Sequence, residues 1–133
     1  MRVSDRELIN MAALAKERAY SPYSGFPTGA AIECEDGSVF IGCRVENPSP
    51  ALSVCAETAA LTAALSAGQR IFKRIAIASD GATYCMPCGG CRQVLHEFSP
   101  DMEILASRAD GRYVSYRLTD LFPRPFGRDT IKG

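Results

Sequence analysis

Two short cysteine-bearing stretches constrain this chain more than anything else in it. The first is Val54-Cys55-Ala56-Glu57, at the head of an Ala- and Leu-rich segment. The second is Met86-Pro87-Cys88-Gly89-Gly90-Cys91-Arg92-Gln93. Cys88 and Cys91 stand at i and i+3, the spacing that puts two thiols on one face of a first helical turn. Pro87 stops the segment before them, and Val94, Leu95 and Phe98 give the following helix an apolar stripe. A helix N-terminus carries a partial positive charge and favours thiolate over thiol. Thiolates from Cys55, Cys88 and Cys91 on two adjacent helix starts would hold one Zn²⁺ and leave its fourth position open, as a hydrolytic site needs. The two helices must then lie side by side on one face. Glu57 stands next to the thiols without being a soft ligand, placed to take and return protons.

Other uses of the thiols are weaker readings. Six cysteines would also suit three disulfides. However, Met1-Arg2-Val3-Ser4-Asp5-Arg6 has no apolar run after its charges and does not read as a signal peptide. No stretch approaches the length of apolar sequence that crosses a membrane. A cytoplasmic chain with reduced thiols is therefore expected, where a Cys-x-x-Cys favours metal. A redox pair is disfavoured by Pro87 before the first cysteine and by the third cysteine in Cys55-Ala56-Glu57. Cys34 and Cys43 read as buried small hydrophobes. Cys85 is the thiol nearest the site and the only rival ligand.

Charge narrows the partners. Fifteen basic and fifteen acidic residues leave no net charge. Arg70, Lys73 and Arg74 form the one loose basic group and read as a solvated helix end. A polynucleotide binder would carry a basic footprint, so the expected partner is a small free substrate, with neither nucleic acid polymer nor membrane. His96, the single histidine, reads as a surface residue, and a Ser-His-Asp hydrolase is unsupported. Gly89-Gly90 are too few to cradle a phosphate.

The chain of 133 residues suits one domain. Ser4 and Glu7 form a capping box that starts a helix at residue 5, running to about Ala19. Residues 20–27 form a Ser-, Pro- and Gly-rich loop. Strands are expected over 28–34 and 39–44, joined at Asp36-Gly37, a strong hairpin signal. After a loop over 45–53, an Ala-rich, largely buried helix spans 55–67 and stops at Gly68. A central strand follows over 74–79, then the second cysteine helix over 89–98. Strands at 103–107 and 113–117, a helical turn at 118–121 and a Pro- and Arg-rich tail close the chain. The order predicts an α/β fold with a mixed five-stranded sheet flanked by helices.

Cys55-Ala56-Glu57 and Pro87-Cys-Gly-Gly-Cys-Arg-Gln93 resemble the small cytidine deaminases, the homotetrameric branch that binds zinc through three cysteines. Tyr20-Ser-Pro-Tyr-Ser-Gly-Phe-Pro-Thr-Gly-Ala-Ala31, Gly42-Cys-Arg-Val-Glu-Asn47, Ile75-Ala-Ile-Ala-Ser-Asp80 and Phe126-Gly127 resemble that family too, in the same order. The resemblance implies a single cytidine-deaminase-like three-layer domain over residues 1–133. It implies zinc-dependent deamination of cytidine or 2′-deoxycytidine in pyrimidine salvage, with Glu57 carrying protons to ring N3 and to the leaving amino group. It implies Phe26 against the pyrimidine, Glu46 on a ribose hydroxyl and Ala56 on the substrate. It also implies a homotetramer with shared sites, in which Phe126 reaches a neighbouring subunit's site.

Three positions depart from the family, one of them the family's tyrosine near Pro50, which is missing here. Arg44 stands where the family has an asparagine that shares the sugar; unlike Asn, Arg only donates and carries charge. Thr58 stands where many relatives have an arginine that offsets the zinc thiolates, leaving Arg92 or Arg44 to tune the charge. These departures keep a deaminase of altered specificity open as an alternative, for a modified cytosine nucleoside, a nucleotide or a blasticidin-S-like compound. A non-catalytic zinc or nucleoside-binding module and a thiol oxidoreductase also remain open.

Overall fold

A computed structural model describes residues 3–127. The Ser4 hydroxyl accepts the Glu7 N–H at 3.1 Å, and the Glu7 carboxylate accepts the Ser4 N–H at 2.9 Å. This reciprocal cap starts α1, Asp5–Lys16. The helix ends earlier than its periodicity suggests, because Tyr20 donates to the Arg44 carbonyl and accepts from the Glu46 N–H. An extended backbone held from both sides cannot remain helical.

Five strands follow the expected order: β1 (Thr28–Cys34), β2 (Val39–Cys43), β3 (Phe72–Ser79), β4 (Glu103–Ser107) and β5 (Tyr113–Arg117). They form one mixed sheet in the order β2-β1-β3-β4-β5. Only β3 and β4 run parallel. Their crossover carries α3 (Gly89–Phe98), as parallel strands require. Helix α2 (Ala56–Ser66) lies between β2 and β3, and α4 (Leu118–Leu121) is the closing turn.

The central strands β1, β3 and β4 are buried on both faces, and strand alternation assigns their side chains to two cores. Ala30, Ile32, Ile75, Ile77 and Ile104 pack with Ala60, Leu61 and Ala64 of α2 and Leu95 of α3. Ala31, Ala76, Ala78 and Leu105 pack with Leu8, Ile9 and Ala12 of α1. The layers are thus α1, the sheet, and α2 with α3. Both cysteine helices share a face, as three thiols meeting at one point demand.

The basic group at residues 70–74 needs correcting. Arg74 is no part of a solvated helix end; it is buried within β3, which begins at Phe72. Opposite it in the β1 register is Glu33, wholly buried. Arg74 Nε donates to Glu33 Oε1 at 2.9 Å and its Nη2 to Oε2 at 3.0 Å. The same guanidinium donates to the Asp5 carboxylate and the Val3 carbonyl, fastening the start of α1 to the sheet. Removing one partner of such a buried pair typically costs about 3–5 kcal/mol.

Two glycines set the spacing of the layers. A Cβ on Gly29 would lie 2.2 Å from the Ala12 carbonyl oxygen and 2.3 Å from the Lys16 nitrogen in α1. A Cβ on Gly42 would lie 2.3 Å from the Ala60 nitrogen and 2.7 Å from the Ala56 carbonyl oxygen in α2. Each helix backbone therefore rests directly on a strand backbone. Gly29→Ala and Gly42→Ala should each lower stability by about 1–3 kcal/mol or more through overpacking. Only Gly42→Ala should also reduce bound metal, because α2 carries Cys55 and Glu57. Thermal unfolding together with metal content per chain checks both parts of this expectation.

Candidate metal centre

Cys55 is the N-cap of α2, with φ −77° and ψ 150°, and its carbonyl accepts the Ala59 N–H at 3.0 Å. Cys88 is the N-cap of α3, and its sulfur accepts the Cys91 N–H at 3.3 Å. A sulfur thus takes the place that Ser or Asp oxygens usually take at a helix start. Two helix N-termini with their partial positive charge converge here.

The three sulfurs of Cys55, Cys88 and Cys91 lie within 4.8 Å of one another, and Cys55 Sγ is 3.8 Å from Cys88 Sγ. Tetrahedral Zn²⁺ with Zn–S near 2.3 Å sets its sulfurs about 3.8 Å apart. The cluster therefore fits zinc in donor type and in spacing. Among the described residues, no fourth cysteine, histidine or carboxylate joins the group. Cys85 stays outside it. Burial pushes the Cys85 thiol up, with a hydrogen bond to Ser79 acting the other way.

Burial pushes Cys91 well above the usual thiol range, and the nearby Glu57 charge adds to this. Cys55 is likewise raised, first by burial. Burial also acts upward on Cys88, but hydrogen bonds from the Cys91 side chain and N–H and from Cys55 outweigh it and leave it lowered. Three unequal, crowded thiols become three thiolates together only when a cation gathers them.

Glu57 lies in the first turn of α2 and is buried. Burial raises its pKa, while hydrogen bonds from its own backbone, the Cys91 side chain and the Cys88 backbone pull the other way. Burial favours the protonated form of this carboxyl group, which suits a group that must take and return protons.

A cavity of about 300 Å³ opens beside the sulfurs, and Phe26, Thr28, Arg44, Ala56, Glu57 and Met86 help to line it. Of the expected site residues, Phe26, Arg44, Ala56 and Glu57 therefore face one space with Cys55 and Cys88. The Phe26 ring is half-exposed at its mouth. A Cβ on Gly81 would sit 3.3 Å from that ring, so the loop after β3 passes close beneath it.

Glu46 stands behind the cavity wall and is buried. Its Oε1 accepts the N–H groups of Tyr23 and Ser24 at 3.0 and 3.1 Å. Its Oε2 accepts the Ser24 hydroxyl and, at 2.9 Å, Arg44 Nε. The Ser24 hydroxyl in turn accepts the Phe26 N–H at 3.0 Å. Glu46 thus fixes the loop that presents Phe26, a role that appears only when residues 20–27 and 44–46 meet in space. Ser24-x-Phe26 was the local signal for it, a hydroxyl two residues before an aromatic.

Arg92 directs Nε to the Pro87 carbonyl and Nη1 to the Leu121 carbonyl, both at 2.9 Å, joining the start of α3 to α4. The guanidinium that meets a metal-site sulfur is that of Arg44, whose Nη1 lies 3.9 Å from Cys55 Sγ. His96 is half-buried and packs edge-on to Phe122 at 5.9 Å. Phe126 is exposed and does not line its own chain's cavity; its carbonyl accepts Gln93 Nε2 at 2.6 Å.

The family profile described as "Cytidine and deoxycytidylate deaminase zinc-binding region" matches residues 2–106. A cytidine deaminase of Sporosarcina psychrophila is 37% identical over 126 residues, 94% of this chain and 93% of that protein. One from Halalkalibacterium halodurans is 41% identical over 92% of this chain and 94% of that protein. The crystal structure of cytidine deaminase from Burkholderia pseudomallei superposes with a TM-score of 0.90 at 42% identity, covering 93% of this chain and all of that one.

The Ser24 and Arg44 hydrogen bonds depress the Glu46 pKa to about 2. A depressed carboxylate stabilises the fold fully above its unfolded value, near pH 4.5, and loses that contribution as pH falls towards 2. The stability difference between the wild type and Glu46→Gln should therefore be constant above about pH 5 and vanish towards pH 2. Urea denaturation midpoints across that range check this.

Proposed function

The chain belongs to the cytidine and deoxycytidylate deaminase family, and from that premise we propose how its own residues divide the work. It is a zinc-dependent hydrolase that converts cytidine, with water, to uridine and ammonia. The observation that carries this is a cluster of three sulfurs, two of them from residues that line one cavity with a buried carboxyl group. Cys55, Cys88 and Cys91 hold the zinc, one ion per chain. When bound, zinc supplies a Lewis acid that makes water nucleophilic at neutral pH.

Glu57 takes one proton from the attacking water and carries it to ring N3, then takes the second from the oxygen now bonded to C4 and delivers it to the amino group, which leaves as ammonia. Its burial beside the metal site serves this, since the carboxyl must be able to stay protonated between the two transfers. Phe26 packs against the pyrimidine, and the Glu46–Ser24 clamp holds it at the cavity mouth. The Ala56 backbone borders the same space at the helix start. Arg44 faces the sugar; Glu46, expected on a ribose hydroxyl, gives its carboxylate to Tyr23, Ser24 and Arg44 and holds Arg44 in place instead. Arg44 has N–H donors beyond those given to Glu46 and Cys55, and these suit the oxygen atoms of ribose or 2′-deoxyribose. Arg92 keeps the second helix start in register and adds positive charge near it.

A thiol oxidoreductase would have no use for the third sulfur, and a mere binding module none for Glu57. We further propose a single domain, a cytoplasmic setting and a role in pyrimidine salvage. No helix of the described residues is long and apolar enough to cross a membrane. Phe126, exposed on its own subunit, completes a neighbour's cavity in a homotetramer.

Two outcomes test this reading. Glu57→Gln should bind zinc as the wild type does while turnover on cytidine, followed by ultraviolet absorbance, falls by about 10²–10⁴-fold; unchanged turnover would remove the shuttle. Dilution until sedimentation shows monomers should abolish activity, and Phe126→Ala should lower it without unfolding the chain. An active monomer would contradict the shared site.

A further inference from the structure

Each of the three sulfurs has its own hydrogen-bond donor, and the three donors come from different parts of the chain. Cys88 Sγ accepts the Cys91 N–H at 3.3 Å. Cys91 Sγ lies 3.6 Å from the Thr58 hydroxyl. Cys55 Sγ lies 3.9 Å from Arg44 Nη1. Either atom of the Thr58–Cys91 pair can donate while the sulfur is a thiol; once it is a thiolate, only the hydroxyl can.

The charges make these contacts matter. Three thiolates on Zn²⁺ leave one net negative charge, in a cavity partly walled by Phe26, Ala56 and Met86. Among the described residues, Arg44 is the cationic side chain in contact with a metal-site sulfur. Its direction is fixed from the other end, because Glu46 Oε2 holds its Nε at 2.9 Å. Glu46 is in turn held by Tyr23 and Ser24. The guanidinium thus spans from the loop clamp to the first sulfur.

We propose that Arg44 and Thr58 are positioning residues of the metal centre, one holding Cys55 by a charged donor and the other holding Cys91 by a hydroxyl. This goes beyond a sugar contact for Arg44 and gives Thr58 a function. It rests on the zinc-hydrolase reading only in requiring that the three cysteines bind zinc. Groups that donate to a metal's ligands orient them and balance their charge, and their loss typically weakens metal binding.

The test measures zinc affinity, without substrate, on zinc-loaded protein titrated with a chromogenic chelator. Arg44→Gln and Thr58→Val should each weaken zinc binding by about 10–100-fold. Arg44→Lys, which restores the charge but not the fork, should recover part of the loss. The melting temperature of metal-free Thr58→Val should match that of the metal-free wild type, since the proposed role operates through the metal; Arg44→Gln also removes a partner of buried Glu46 and should melt lower without metal, by no more than Glu46→Gln does. Affinities within about twofold of wild type for either substitution, or a loss of metal-free stability in Thr58→Val that accounts for its loss of zinc, would overturn the proposal. Should Arg44→Gln fail to fold, Thr58→Val and Arg44→Lys decide it alone. Glu57→Gln keeps the two readings apart: it should lose turnover and keep its zinc. An active Glu57→Gln would defeat the shuttle and leave this proposal standing. Normal zinc affinity in Arg44→Gln would defeat this proposal and leave the shuttle standing.

Discussion

Three sulfurs must reach one point, and they come from two helices separated in sequence. The N-termini of α2 and α3 supply the geometry, because a helix start turns its first side chains and its unpaired N–H groups the same way. Packed on one face of one sheet, the two starts bring Cys55, Cys88 and Cys91 within 4.8 Å. The same convergence puts Glu57, in the first turn of α2, beside the metal site. The rest of the architecture can be understood as keeping those two helix starts in register.

Close packing provides most of that register. Gly42 lets the α2 backbone rest on β2, so Cys55 and Glu57 stand at a height set by backbone contact rather than by compressible side chains. Alanines along α2 pack on Ala30 and Ile32 of β1 and on Ile75 and Ile77 of β3. Arg92 ties the start of α3 to Pro87 and Leu121 by hydrogen bonds to carbonyls. On the opposite face, Gly29 and the buried Glu33–Arg74 pair hold α1 against the sheet. Polar contacts inside this small fold thus fix position, and apolar burial supplies the driving force.

Local chemistry was legible in the sequence wherever it is encoded by near neighbours. Ser4 with Glu7, Asp36-Gly37, Gly68 and the apolar runs of β1 and β3 located elements to within a few residues. The five-stranded mixed sheet followed from the order of those elements. The cysteine spacing indicated two helices on one face. What the sequence hid depends on strand register and on loops meeting across the fold. Arg74 looked like a solvated charge because Glu33, its partner across β1, lies 41 residues away. Gly29 and Gly42 gave no sign of the helices above them. Glu46 gave no sign of Ser24, nor Thr58 of Cys91, since each pair is made by tertiary contact. Arg44 was visible as a departure, but its contact with Cys55 was not.

The central claim is one zinc held by three sulfurs with a place left for solvent. X-ray absorption at the zinc edge of the metal-loaded chain measures this directly. The account predicts three sulfur neighbours near 2.3 Å and one lighter neighbour near 2 Å, with the lighter one altered when a pyrimidine ligand is added. Four sulfur neighbours, with Cys85 as the fourth, or a zinc shell indifferent to ligand, would contradict it.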